Sequence, residues 1–182
     1  MKSLFLGLVL LLAVTANAQF GLPGALSELS VDCKETAVGQ DIATDSSGLW
    51  SDREHHETLE VDFQNMGGTA LKVSAVIYFL FRDASDRTEQ FVDEPVSKDI
   101  DIPPKQAAIW KADRPPLAEH VDNIYMSGAG DRSGAKPSGW IVGCKVNGMF
   151  YPIKASSEAL MDYAQSDEFK AKKDVAGHAD TN

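Results

Sequence analysis

The side chains most able to do chemistry lie together in one short polar stretch of the chain. It contains the carboxylates and imidazoles of Asp52, Glu54, His55, His56 and Glu57. Groups of these types are common ligands of divalent metals, so the stretch is a candidate site in a metal-binding envelope protein or in a metal- or carboxylate-dependent hydrolase. It lacks the second, regularly spaced His group of a typical zinc motif. The alternative interpretation is a solvated polar loop.

Other candidate contact residues lie in segments rich in Gly and Ser. Trp50 lies two residues after the tripeptide Ser-Ser-Gly, and we expect its ring to be exposed. Asp131 and Arg132 lie in a Gly-rich stretch without the Lys-Ser/Thr pair of a phosphate-binding loop. That stretch is predicted to be a surface loop, where ligand contacts often occur. Trp110 and Trp140 fall in apolar runs and are predicted to lie in the core.

No catalytic motif stands out in the sequence. The Ser-centred G-x-S-x-G pattern of hydrolases is absent, and neither cysteine has a neighbouring histidine. We therefore predict a non-catalytic binding or structural module that recognises an extracellular or envelope protein or a glycan. No cofactor is expected unless a divalent metal binds the Asp52–Glu57 segment.

The first 18 residues have the pattern of a cleavable signal peptide. Lys2 precedes an apolar run from Leu4 to Val14, and Ala16-Asn17-Ala18 supplies small residues for cleavage. The run is shorter than the roughly 18–20 residues that span a bilayer as a helix, and no later segment is long enough. We expect a secreted or periplasmic protein with no transmembrane segment after cleavage.

The charge balance argues against one class of partner. The chain has 27 acidic and 17 basic side chains and a formal net charge of −10. Nucleic acids are bound through clustered Lys and Arg, so a nucleic-acid partner is not expected for this acidic protein.

The rest of the chain predicts short antiparallel strands. Apolar and polar residues alternate over 28–35, 59–64, 70–81, 91–102, 107–112, 139–146 and 149–154, with a weaker candidate at 121–126. Asn147-Gly148 between two such runs is a strong hairpin signal. A short amphipathic helix is predicted over 157–165, and residues 36–56 are predicted to be a long surface loop.

These patterns predict a mainly β protein, an antiparallel β-sandwich of about seven or eight strands with a short C-terminal helix. The predicted organisation is a signal peptide at 1–18, a lead-in at 19–27, the sandwich domain with its helix at 28–165, and a disordered polar tail at 166–182.

Cys33 and Cys144 are the two cysteines of the chain. Each falls on the apolar side of a candidate strand, and exported proteins commonly pair their cysteines in an oxidising compartment. We therefore predict a Cys33–Cys144 disulfide. Two separately buried thiols are the alternative.

The pattern also resembles a known class of domain. The run Leu59–Asn65 leads through a Gly turn into a long strand, and Ile102-Pro103-Pro104-Lys105-Gln106 precedes a short one. This arrangement resembles small immunoglobulin-like or fibronectin-like domains of secreted bacterial proteins. The block from Gly139 to Ser156 is similar to the end of uncharacterised exported bacterial proteins. The resemblance implies a β-sandwich and no particular activity.

Overall fold

The computed structural model describes residues 24–44, 50–85, 90–92, 95–122 and 132–176. The predicted signal peptide and Asp131 lie outside the described residues. After a 3-10 turn at Gly24–Leu26 come strands β1 (Leu29–Thr44), β2 (Trp50–Asn65), β3 (Leu71–Asp83), β4 (Gln90–Val92), β5 (Val96–Ile102), β6 (Ala107–Asp113), β7 (Leu117–Asp122), β8 (Arg132–Val146) and β9 (Met149–Ala155), and helices α1 (Glu158–Gln165) and α2 (Asp167–Ala176).

The described strands form two antiparallel layers. In the first layer, β1 pairs along the length of β2, while β7 and β6 pair with successive halves of the other edge of β2. In the second layer, β3 lies between β8 on one side and β5 and β4 on the other, and β9 follows β8. The start of β8 also pairs with β7 and so joins the layers. The prediction of a mainly β, antiparallel, sandwich-like fold is confirmed.

Strand β3 is apolar on both faces because it is covered on both faces. One face packs between the two layers, in a core that β1, β2, β5, β6 and β8 also enter. The other face, with Val76, Tyr78 and Leu80, packs against Leu160 and Phe169 of the C-terminal helices. No helix among the described residues is long and apolar enough to cross a bilayer.

Two turns show how particular side chains and backbone angles connect successive strands. Asn147 and Gly148 both have positive φ, at 52° and 78°, as a tight hairpin turn requires, so the predicted hairpin is confirmed. The turn after β2 depends instead on the buried side chain of Asn65. Its Nδ2 donates to the carbonyls of Thr69 and Ile102 at 2.7 and 3.0 Å, and its Oδ1 accepts from the Gly67 N–H at 2.9 Å.

Several predicted boundaries are corrected. Residues 36–56 are not a loop in their described part, because β1 continues to Thr44 and β2 begins at Trp50. Polar residues lie on both faces of these parts of β1 and β2, so their sequence does not show the alternation of polar and apolar side chains that predicts a strand. The run predicted as one strand over 91–102 is divided into β4 and β5. Strand β7 lies earlier than the predicted strand at 121–126.

The tail also differs from its prediction. Residues 167–176 form α2 where the composition predicts disorder. The segment is polar apart from a few side chains, but one of these, Phe169, is fully buried. A single aromatic anchor is difficult to recognise from average composition. Residues 177–182 lie outside the described residues.

The predicted disulfide is not formed, because Cys33 and Cys144 are both free thiols. Cys33 lies opposite Val61 in the first layer and Cys144 opposite Ala75 in the second. Two cysteines on facing layers can form a disulfide only where the packing brings their Cα atoms within about 7 Å of each other. Burial raises the pKa of both thiols to about 12.

Candidate functional site

Strands β2 and β7 run side by side and hold two separate sets of polar side chains. Asp52 lies opposite His120, and Arg53 lies opposite Glu119. Successive side chains of a strand point to opposite faces, so these two pairs occupy opposite faces of the sheet. The odd-numbered residues of β2 continue into the core, and the even-numbered ones face outward.

The outward set is here called the outer β2–β7 surface. Its members are Trp50, Asp52, Glu54 and His56 from β2, and His120 and Asp122 from β7.

His120 is the centre of the outer β2–β7 surface. Its Nδ1 lies 2.6 Å from Asp52 Oδ1, and its Nε2 lies 3.3 Å from Asp122 Oδ1. The Trp50 ring lies beside it, with 5.7 Å between ring centroids. Two carboxylates at the two ring nitrogens favour the imidazolium form, in which both nitrogens donate.

The pKa of His120 is raised from its ordinary value of 6.5, chiefly by the hydrogen bond to Asp52. Partial desolvation opposes this change, and the hydrogen bond and charge of Asp122 add to it. The surface therefore combines an exposed aromatic ring, a histidine that holds its proton strongly, and two carboxylates.

The acidic character extends along the same outward face into the rest of the first layer. Strand register places further carboxylates on this face, namely Asp32, Glu60, Asp62 and Asp113. The described lysines among them are Lys34, opposite Glu60, and Lys111, whose Nζ lies 3.1 Å from Glu60 Oε2. Lys154 from β9 pairs with Asp32 at one edge. Carboxylates thus outnumber lysines on this face.

The opposite face of β2 and β7 carries the Glu119 cluster, which comprises Arg53, His55, Glu119 and Lys136. Glu119 is fully buried, while the other three side chains are half-buried. Lys136 Nζ lies 2.9 Å from Glu119 Oε1, and His55 Nε2 lies 3.2 Å from Oε2. Arg53 Nη1 is further away, at 4.0 Å from Oε2.

Burial by itself would raise the pKa of Glu119, but the net effect is a lowered pKa. Hydrogen bonds from Lys136 and His55, with the charges of Lys136 and Arg53, overcome the desolvation. Glu119 is therefore ionised at neutral pH, since a lowered pKa favours the charged form.

Glu57 belongs to a third, deeper group. Arg114 Nη1 lies 3.0 Å from Glu57 Oε2, and both side chains are buried. Burial raises the pKa of Glu57, and nearby Glu35 adds to this, while Arg114 opposes it. Glu35 also accepts a 3.0 Å hydrogen bond from Trp140 Nε1.

The structure divides the five residues predicted as metal ligands. His55 and Glu57 point toward the core side of β2, in separate groups, whereas Asp52, Glu54 and His56 point outward. Among the described residues no group of three or more His, Cys, Asp or Glu side chains is arranged to hold a metal ion. The segment is therefore a strand that contributes to three different clusters.

The other candidate residues have mixed outcomes. Trp50 is exposed, and Trp110 and Trp140 are buried, as predicted. Asp131 lies outside the described residues, and Arg132 begins β8.

Sequence reasoning missed the partners of the β2 side chains. Glu119 and His120 come from β7, and their contacts with His55 and Asp52 each join residues more than 60 positions apart. The alternation in Leu117-Ala-Glu-His-Val-Asp122 was the available signal. It indicates a strand, but not that its polar residues face β2.

The fold and these clusters define a β-sandwich-like protein with charged groups on both faces of one strand pair. No protein-family model and no curated protein matches the chain. Among solved structures it is similar to a Northeast Structural Genomics Consortium target, SoR45, with 13% identity and a TM-score of 0.37, over 71% of this chain and 84% of that one. A protein from Akkermansia muciniphila has 11% identity and a TM-score of 0.25, over 74% of each chain.

Proposed function

We propose that this protein is a non-catalytic binding module, secreted or periplasmic, whose outer β2–β7 surface binds a cationic segment of a partner protein. The observation that carries the proposal is the Trp50 ring, which is 38% exposed and lies beside His120, Asp52 and Asp122. The export pattern of residues 1–18 supports the proposed location.

The chemistry of this surface favours Lys or Arg as the group recognised. An exposed indole attracts a cation to its ring face. Asp52 and Asp122 share the single imidazolium of His120, so the group keeps a net negative charge that attracts and orients the same cation. Tryptophan is also among the residues that most often dominate binding energy at interfaces. The further carboxylates along the first layer extend this complementarity beyond a single side chain.

The uneven covering of the two layers supports the same conclusion. The outward face of β3 is covered by α1 and α2 and is apolar. The outward face of β2 carries charged and aromatic side chains, with Asp52 and Glu54 exposed. Antiparallel sheets often leave one face to water, but an exposed aromatic ring among several carboxylates is the composition of a binding surface.

The test is fluorescence anisotropy with two labelled peptides of equal length, one rich in Arg and Lys and one rich in Glu. We expect binding of the cationic peptide only, with an affinity that falls as salt is added because exposed charges are screened. Trp50→Ala should weaken binding by about tenfold or more. Ile109→Ala is the matched control, since Ile109 is 62% exposed on the same layer but belongs to β6.

Equal binding of the two peptides, or equal affinity of the wild type and Trp50→Ala, would refute the proposal. A parallel titration with neutral oligosaccharides tests for a glycan partner. If an oligosaccharide binds through Trp50 and the cationic peptide does not bind, the partner is a glycan and not a protein.

A further inference from the structure

Arg53 is a cation without a close counter-charge in the Glu119 cluster. The two oxygens of Glu119 each have a nearer donor, Lys136 at 2.9 Å and His55 at 3.2 Å. Arg53 lies 4.0 Å from Oε2, which is beyond hydrogen-bonding distance. One carboxylate thus faces two permanent cations and a histidine.

The hydrogen-bonding capacity of Arg53 supports the same point. A guanidinium has five N–H donors in a planar fork. Its Nε is buried, and no described residue accepts a hydrogen bond from it. Buried donors are nearly always satisfied, so the Nε of Arg53 is open to a further acceptor.

Among the residues that the structure describes, the two glutamates nearest to Arg53 along β2 do not supply that acceptor. Glu57 is paired with Arg114 at 3.0 Å. Glu54 lies on the opposite face of β2, since it is the next residue along the strand.

The cluster is accessible from solvent on its cationic side. The Arg53 and Lys136 side chains are 28% and 29% exposed, whereas Glu119 is 0% exposed. A solute that reaches the cluster meets the two cations and not the carboxylate.

We propose that Arg53, Lys136 and His55 form a binding site for a small oxyanion, a sulfate, phosphate or carboxylate group, above the buried Glu119. The Arg53 fork matches two oxygens of such a group, and Lys136 adds a point charge. The site lies on the opposite face of β2 from Trp50, so it is independent of the proposed function.

The test is isothermal titration calorimetry with sodium sulfate, sodium phosphate and sodium acetate, each at an ionic strength matched with sodium chloride. We expect a saturable signal for at least one oxyanion. Arg53→Met should weaken binding about tenfold or more, because charge-assisted hydrogen bonds are lost. Lys111→Met is the matched control, since Lys111 is an exposed lysine whose ion pair to Glu60 lies on the outward face.

Two further variants separate ligand binding from a structural role. Arg53→Lys keeps the charge without the fork and should weaken binding less than Arg53→Met. Glu119→Gln removes the negative charge beneath the site and should tighten binding, a result that a merely structural cluster does not predict. Circular dichroism checks that each variant is folded.

The proposal would be overturned by wild-type protein that shows no saturable signal with any of the three anions. Unchanged affinity in Arg53→Met would overturn it equally. The cationic-peptide experiment uses residues of the other face, so either proposal can fail without the other.

Discussion

Arg114 and Glu57 form a buried ion pair that contacts both layers. Besides the 3.0 Å contact between their side chains, the Arg114 N–H donates to the Glu57 carbonyl at 2.8 Å. Arg114 Nη2 also donates to the Leu80 carbonyl of β3, and the guanidinium lies 5.5 Å from the Phe79 ring centroid. One side chain thus links the β6–β7 junction, β2 and β3.

We predict that Arg114→Met lowers the free energy of unfolding by about 3–5 kcal/mol, because it leaves the Glu57 carboxylate buried without its partner. The measurement is urea denaturation followed by Trp fluorescence. The double variant Glu57→Leu/Arg114→Met removes both charges and should recover most of the loss. A single variant that costs less than about 1 kcal/mol, typical of an exposed pair, would contradict this role.

At the element scale, Phe169 anchors helix α2 among the side chains that the structure describes. Phe169 is fully buried and contacts Tyr78 and Tyr163, with centroid distances of 5.3 and 5.6 Å. Its N–H donates to the Ser166 hydroxyl at 3.1 Å, which begins the helix. The neighbouring Lys170 and Asp167 are exposed and pair with each other. Packing of one aromatic side chain, more than helix propensity, therefore holds α2 in place.

Phe169→Ala should release α2 from the second layer, since replacing a buried phenylalanine by alanine typically costs about 3–5 kcal/mol. Hydrogen exchange read by mass spectrometry should show faster exchange in 167–176 and retained protection in β3. The control is Lys170→Ala, which alters the exposed side of the same helix. Unchanged protection of 167–176 in Phe169→Ala would mean that other contacts hold the helix.

At the scale of the whole molecule, the stability contributed by the two clusters on opposite faces of β2 changes in opposite directions with pH. The lowered pKa of Glu119 gives stability that is present above its ordinary pKa of 4.5 and is lost as pH falls through the folded value. The raised pKa of His120 gives stability that is complete below its ordinary pKa of 6.5 and is lost as pH rises through the folded value. Both contributions are present together between these two ordinary pKa values.

We therefore expect the melting temperature to be highest between pH 4.5 and 6.5, and the net negative charge adds self-repulsion at higher pH. The measurement is a series of thermal melts across pH. His120→Gln should flatten the alkaline side, and Glu119→Gln should flatten the acid side. A wild-type optimum well above neutrality would show that neither cluster controls the profile.

Much of the fold could be predicted from local alternation. The burial of Leu59, Val61 and Phe63 on one face of β2 follows from a period of two, and so does the hairpin at Asn147-Gly148. Trp50 is exposed as predicted, although the prediction depended on a polar loop and the residue begins β2. The alternation of polar and apolar residues cannot be recognised where polar residues occupy both faces of a strand. The sequence therefore predicts a loop at the start of β2.

The candidate site could be predicted only in part. The reactive residues of β2 were identified, but their grouping as one metal site was not supported by the geometry. His120 and Glu119, which organise the two clusters, belong to a strand far along the chain. The predicted disulfide failed for the same reason, since two cysteines can each face the core without facing one another.

The mainly β class, the positions of most strands and the acidic character follow from the amino-acid sequence alone, because side-chain alternation and charge are properties of neighbouring residues. By contrast, the folded arrangement is needed to show that Arg53 lies opposite Glu119, that Asp52 lies opposite His120 and that the two thiols are not bonded. Those outcomes depend on which strands pair and in what register. Pairing is set by how the whole interior packs, and no short stretch of sequence contains that information.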